Sequence, residues 1–154
     1  MQKLFFISMV LLSFTSKAIN YDTIPANNPL IEYTGRIDFT DSTKPAFAYS
    51  GVSIRACFTG TSVGAILSDY QGKNFYNILI DGKVVDILNV SKTKQAYILA
   101  SGLENKLHEN ELFKRTELQF GKTTFEGFLV EDGTELQPIE NVRGNFIEYI
   151  GNSI

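Results

Sequence analysis

The chain has no tryptophan, one cysteine and one histidine among its 154 residues. A lone cysteine, Cys57, leaves no internal disulfide framework to rely on. One His and one Cys fall short of the ligand set of a usual zinc site, so no metal is expected. No glycine-rich phosphate loop occurs, and no cofactor is expected. Basic residues cluster nowhere except at Lys114-Arg115, and the net charge is −3, which argues against nucleic acid as a partner. No apolar pattern of helical period persists for about three turns, and no internal repeat or low-complexity tract is evident.

What is present suffices for a core. Apolar residues make up 44% of the chain, with 12 Phe and 7 Tyr, a composition of a folded globular protein rather than a disordered one. Residues 1–18 follow the three-part pattern of a secretory signal peptide: Lys3, an apolar stretch from Leu4 to Phe14, and the small-x-small site Ser16-Lys17-Ala18. The apolar stretch is shorter than the roughly 20 residues that span a bilayer, so no membrane span is expected. The chain is therefore expected to be secreted or periplasmic, cleaved after Ala18. Without Lys3 and Lys17, 12 basic residues stand against 17 acidic ones, a net charge of −5.

Residues 19–28 are expected to be a linker, since Asn20 to Pro29 is polar and carries Pro25 and Pro29. From there to residue 140, short β-type runs alternate with turn chemistry: Ile31–Phe39, Ala46–Tyr49, Val52–Phe58, Val63–Tyr70, Phe75–Ile80, Val84–Val90, Gln95–Ala100, Leu107–Leu118 and Thr123–Val130. Val52–Phe58 alternates as a half-buried strand should, with Val52, Ile54, Ala56 and Phe58 on one face and Ser53, Arg55 and Cys57 on the other. Leu107–Leu118 alternates poorly and is strand-like in its second half. Asp81-Gly82-Lys83 between two β-branched runs is the strongest hairpin cue. Short strands at roughly ten-residue spacing predict an all-β fold, an antiparallel β-sandwich over residues 29–140. Asn89-Val90-Ser91 fits a glycosylation acceptor, a pattern too common to carry weight.

Residues 141–154 form a connector followed by an apolar run, Phe146 to Ile150, that breaks at Gly151 and is followed by Ser153. By pattern alone this is either a final sandwich strand with a polar tail or the first buried strand of an α/β sheet. A serine just past the carboxyl end of such a strand stands at the mouth of a ligand crevice, a placement suited to a nucleophile.

Ile150-Gly151-Asn152-Ser153-Ile154 resembles the first block of the SGNH, or GDSL-type, esterases, with Asn152 departing from the usual Asp. Ile78 to Gly82, Leu112-Phe113-Lys114-Arg115-Thr116-Glu117 and Gly121 to Phe128 are similar, in that order along the chain, to blocks of the amino-terminal domain of carbohydrate esterase family 2, whose members resemble acetylxylan esterases. The resemblance implies a jelly-roll-like sandwich followed by the first strand of an SGNH hydrolase domain. It implies Ser153 as the nucleophile, its backbone N–H as one oxyanion donor, and an acetylated polysaccharide such as acetylxylan as the partner. The Asp and His of the triad would come from a later part of the hydrolase domain, so the 154 residues are expected to be inactive and to continue into roughly 200 more, ordinary for one domain.

The competing candidates are weaker. His108 reads as a partly exposed structural histidine rather than a base, and Cys57 as a small strand residue rather than a thiol nucleophile. Glu104, Glu109, Glu111 and Glu117 have the spacing of solvated strand faces and turns, and Lys114 to Glu117 reads as a cross-strand or interdomain polar network. The alternative function is a non-catalytic carbohydrate-binding sandwich. The missing tryptophan, the usual sugar-stacking residue, speaks against it; Tyr70, Tyr76 and Tyr97 could stack in its place.

Overall fold

The computed structural model of the protein describes residues 20–140. The expected signal peptide, connector and hydrolase strand, with Ser153, lie outside the described residues.

Twelve strands occupy this span, with one 3₁₀ turn at Leu118–Phe120 and no α-helix among the described residues. They are β1 (Tyr21–Pro25), β2 (Glu32–Thr34), β3 (Ile37–Asp38), β4 (Ala46–Phe47), β5 (Ser53–Gly60) and β6 (Val63–Asp69), then β7 (Asn74–Ile80), β8 (Lys83–Val90), β9 (Gln95–Ala100), β10 (Lys106–Lys114), β11 (Thr123–Glu131) and β12 (Leu136–Gln137). Every pairing is antiparallel. One sheet runs β3-β4-β11-β6-β9, with β1 also on β11. The other runs β12-β5-β10-β7-β8, with β2 also on β5. The expected all-β sandwich is the fold.

Between the sheets lie Ile54, Phe58, Leu67, Ile78 and Leu112, all fully buried, and a run of edge-packed rings. Phe125 and Phe128, three residues apart, could not both face inward from a regular strand. A bulge between Phe125 and Gly127 shifts the register and brings both rings into the core, 4.9 Å apart. Phe47 and Tyr76 meet edge to face at 6.3 Å, and Tyr33 meets Phe125 at 6.2 Å.

Several local expectations are met and several are corrected. The Asp81-Gly82 hairpin forms as a two-residue turn: Ile80 pairs with Lys83, and Asp81 (φ 51°) and Gly82 (φ 74°) both take the positive φ of a primed turn. Residues 20–29, expected to lack regular structure, contain β1, which pairs from Tyr21↔Glu131 to Pro25↔Gly127. Its docking depends on Gly127, where a Cβ would lie 2.2 Å from the Ile24 carbonyl oxygen. Ile31–Phe39 is not one strand. The chain crosses from one sheet to the other between β2 and β3, so its two halves belong to different layers. Leu107–Leu118 is strand in its first part, up to Lys114.

The expected half-buried β5 is buried on both faces. On the side away from the core, Arg55 is bracketed by Glu109 (2.9 and 3.0 Å) and Glu32 (3.4 Å), and Ser53 donates to Glu111 at 2.5 Å. Long side chains of the neighbouring strands thus close over the short ones of a central strand.

Candidate functional site

Alternation along β10 places His108, Asn110, Leu112 and Lys114 on the core face and Glu109, Glu111 and Phe113 on the opposite one. Polar side chains therefore enter the interior at both ends of one central strand, and each end builds a different arrangement.

At one end, the ammonium of Lys114 is fully buried. Its Nζ donates to Asn74 Oδ1 (2.6 Å), the Thr116 carbonyl (2.6 Å) and Thr116 Oγ1 (3.1 Å). The same Asn74 turns its amide nitrogen to Asp69 Oδ2 and to the carbonyls of Phe120 (3.1 Å) and Gly121 (3.2 Å). Thr123 Oγ1 also donates to Asp69 Oδ2 at 2.9 Å. Asn74 is thus inserted between a buried cation and a buried carboxylate, presenting its oxygen to the first and its nitrogen to the second. Burial pushes the Lys114 ammonium down to about 8, while Asp69 and Glu117 pull it back up.

This network holds three loops. The other oxygen of Asp69, Oδ1, accepts the backbone N–H groups of Gln71 (2.9 Å), Gly72 and Lys73 (3.2 Å), closing the β6–β7 turn. The Asp69 N–H reaches the Ser91 carbonyl (2.9 Å) and the Tyr70 N–H the Lys122 carbonyl (2.9 Å), lacing in the β8–β9 and β10–β11 loops. Above them is a cleft of about 410 Å³, bordered by Asp69, with the half-buried Ala46, Ser68 and Thr124 as its floor and the exposed Tyr70, Lys92 and Lys122 around its rim. The Lys114 block, expected to be a polar network, is one, and it lies within the sandwich.

Of the three candidate stacking tyrosines, Tyr76 is wholly buried, and the Tyr97 hydroxyl accepts the Ser91 N–H at 2.8 Å. Tyr70 is 81% exposed and is the one free to meet a ligand.

At the other end of β10, His108 is buried, not partly exposed, with its ring 5.8 Å from that of Phe58. Nδ1 lies 2.8 Å from Asp81 Oδ2 and Nε2 2.8 Å from the Glu104 carbonyl oxygen. Both ring nitrogens are engaged, so neither is free to take a proton from a serine. Against the upward pull of partial burial, the Glu109 N–H and the His108 ring hold the Asp81 carboxyl below its usual range. Cys57, Asp81, Leu107, His108, Glu109 and Pro138 border a small cleft of about 200 Å³ here. Burial, and then the Glu109 carboxylate, push the Cys57 thiol up, which makes it a poor nucleophile.

Glu109 and Glu111 are not on a solvated face as expected. The first grips Arg55, and the second is buried. No group of three metal-ligating side chains occurs among the described residues.

The structure thus defines an antiparallel β-sandwich with an ordered loop platform and no serine-hydrolase constellation among the described residues. The profile of the family Carbohydrate esterase 2 N-terminal matches residues 33–139, and the chain belongs to that family. It is 35% identical over 131 residues to the cellulase/esterase CelE of Acetivibrio thermocellus, covering 83% of this chain and 16% of that protein. It is 25% identical over 132 residues to the acetylxylan esterase/glucomannan deacetylase of Cellvibrio japonicus, covering 86% and 37% respectively. The structure of a family two carbohydrate esterase from Clostridium thermocellum in complex with cellohexaose superposes with a TM-score of 0.66 at 32% identity, over 72% of this chain and 34% of that one. The chain therefore spans well under half the length of these relatives.

Proposed function

We propose that this chain is the amino-terminal portion of an exported carbohydrate esterase that removes acetyl groups from a plant polysaccharide such as acetylxylan by serine hydrolase chemistry. The observation that carries this reading is the family match over residues 33–139, with the Gly151-Asn152-Ser153 block following it in the sequence. The relatives' names supply the substrate class.

Ser153 is the nucleophile in this reading. Its hydroxyl adds to the acetyl carbonyl carbon, its proton passes to a histidine base and then to the departing sugar oxygen, and water releases acetate from the acetyl-serine. The Ser153 N–H supplies one oxyanion donor. The base is not His108, the one histidine of the sequence, because both its ring nitrogens are occupied within the sandwich. The 154 residues alone are accordingly inactive.

The test is acetate release from 4-nitrophenyl acetate and acetylxylan. The chain alone should give background rates. Joined through its Gly-Asn-Ser block to the hydrolase portion of the Cellvibrio japonicus relative, it should become active, and Ser153→Ala should remove at least about 10³-fold of that activity. A fusion that keeps its activity with Ser153→Ala would overturn the assignment. Export is tested by mass spectrometry of the secreted product, which should begin at Ile19.

A further inference from the structure

We infer that the cleft rimmed by Tyr70, Lys92 and Lys122 is a binding subsite for a carboxylate-bearing saccharide, a glycan carrying uronic acid units. The inference takes the polysaccharide class from the proposed function but needs none of its chemistry.

Three features of the cleft converge on this ligand. The first is the aromatic platform. Tyr70 exposes 81% of its surface, yet its backbone is fixed by the bond to the Lys122 carbonyl and by the carboxylate-closed turn that begins at Asp69. With the backbone already fixed, only side-chain freedom is lost when a flat apolar sugar face stacks on the ring. The second is the floor. Thr124 pairs with Ala46 on one side and Ser68 on the other, so three small side chains lie in a row across β4, β11 and β6. They leave room for a pyranose ring and offer two hydroxyls that both donate and accept.

The third is charge. Lys92 and Lys122 are exposed, and neither forms an ion pair among the described residues, in a chain whose net charge is −3. The Asp69 carboxylate also borders the cleft, but Asn74, Thr123 and three backbone N–H groups occupy both its oxygens, and Lys122 is within electrostatic reach of Asp38, so the charge the rim offers a ligand is that of the two lysines. A bare anion would satisfy the lysines but would leave the ring and the hydroxyl floor without a role. A neutral glycan would satisfy the ring and the floor but not the lysines. A uronate unit meets all three.

Affinity electrophoresis of the 154-residue chain carrying Ser153→Ala tests this independently of catalysis. Gels contain glucuronoxylan or the same polymer with its carboxyl groups reduced to alcohols. Glucuronoxylan should retard the chain, and carboxyl reduction should weaken binding about tenfold, as should 0.5 M salt. Lys92→Ala with Lys122→Ala should abolish the difference between the two polymers, whereas Tyr70→Ala should weaken binding to both about tenfold. All three side chains are exposed, and matching thermal midpoints verify that the variants are folded. Absence of retardation by glucuronoxylan, equal binding of both polymers, or wild-type binding by the variants would overturn the inference. So would displacement by millimolar inorganic phosphate, the signature of a simple anion site. Esterase activity of the fusion described above together with no retardation here would sink this inference and leave the proposed function standing.

Discussion

Replacing Lys114 with methionine keeps the volume of the side chain and deletes its charge, which isolates what the buried ammonium does. At pH 7 the wild-type protein carries the cation at a desolvation cost, offset by hydrogen bonds to Asn74 Oδ1 and the Thr116 carbonyl, both at 2.6 Å. Charge-assisted bonds contribute about 1.5–3 kcal/mol each. The fall of Lys114 from 10.5 to about 8 is the net of burial against the pull of Asp69 and Glu117, and it disfavours the charged form by roughly 3 kcal/mol. Lys114→Met should therefore destabilise the fold by only about 2 kcal/mol at pH 7, or about 8 °C in midpoint for a domain of this size. The pH dependence is the sharper signature. Because the folded-state value lies below the unfolded one, the unfolded chain binds more protons between pH 8 and 10.5, and wild-type stability rises with pH through that window. The useful range ends near pH 10, because burial raises Tyr33 and Tyr76, and stability held by neutral phenols is lost as pH rises above the unfolded value. Between pH 8 and 10 the gap between wild type and Lys114→Met should widen by about 2–3 kcal/mol. Urea unfolding followed by far-ultraviolet circular dichroism at unit pH steps from 7 to 10 measures it. Parallel stability curves over this range would refute the buried-cation reasoning.

Gly127→Ala should detach β1, since the new Cβ meets the Ile24 carbonyl oxygen at 2.2 Å and the backbone there has φ +145°. Limited proteolysis should cut the variant within residues 20–28 well before the rest of the sandwich, with a stability loss of about 2–4 kcal/mol. Cys57 should resist Ellman's reagent at pH 8 in the folded protein and react at once in denaturant, because its thiol is buried and raised. Rapid labelling without denaturant would contradict the closed outer face of β5.

What could be read from the sequence is what rests on neighbours along the chain. The β7–β8 hairpin was legible because Asp81-Gly82 carries its own positive-φ requirement. The strand β1 was hidden because its composition is polar and its cause is remote: Gly127, across the sheet, makes room for it. Likewise, nothing within Val52–Phe58 tells that Glu32, Glu109 and Glu111 will close over its outer face. The poor alternation of Leu107–Leu118 held information that period-two reasoning discards. The positions that break the pattern, His108, Asn110 and Lys114, are on the core face of β10, and each is buried. His108 and Lys114, on either side of Leu112, were thus a sign of internal polar networks rather than of a weak strand, whereas the buried Asn110 amide has no hydrogen-bond partner among the described residues. For the stacking residues the sequence offered three equivalent tyrosines, and only packing separates Tyr70 from Tyr76 and Tyr97.

The two ends of β10 also explain why a sandwich would hold charge inside at all. An apolar residue in place of Lys114 could fill the same volume, and buried charges are in general weak sources of net stability, as the modest loss expected for Lys114→Met reflects. What an apolar residue cannot do is orient Asn74. With its oxygen fixed by Lys114 and Thr116, the amide nitrogen is aimed at Asp69 and at the carbonyls of Phe120 and Gly121. Asp69 in turn fixes the turn that carries Tyr70. The chain of orientation runs from a strand residue in the core, through one amide and one carboxylate, to a surface loop. Loops of a sandwich are ordinarily its most mobile part, and a rigid platform there needs connections to the rigid sheets below. The buried cation contributes geometry more than stability, and the place it reaches is the rim of the cleft.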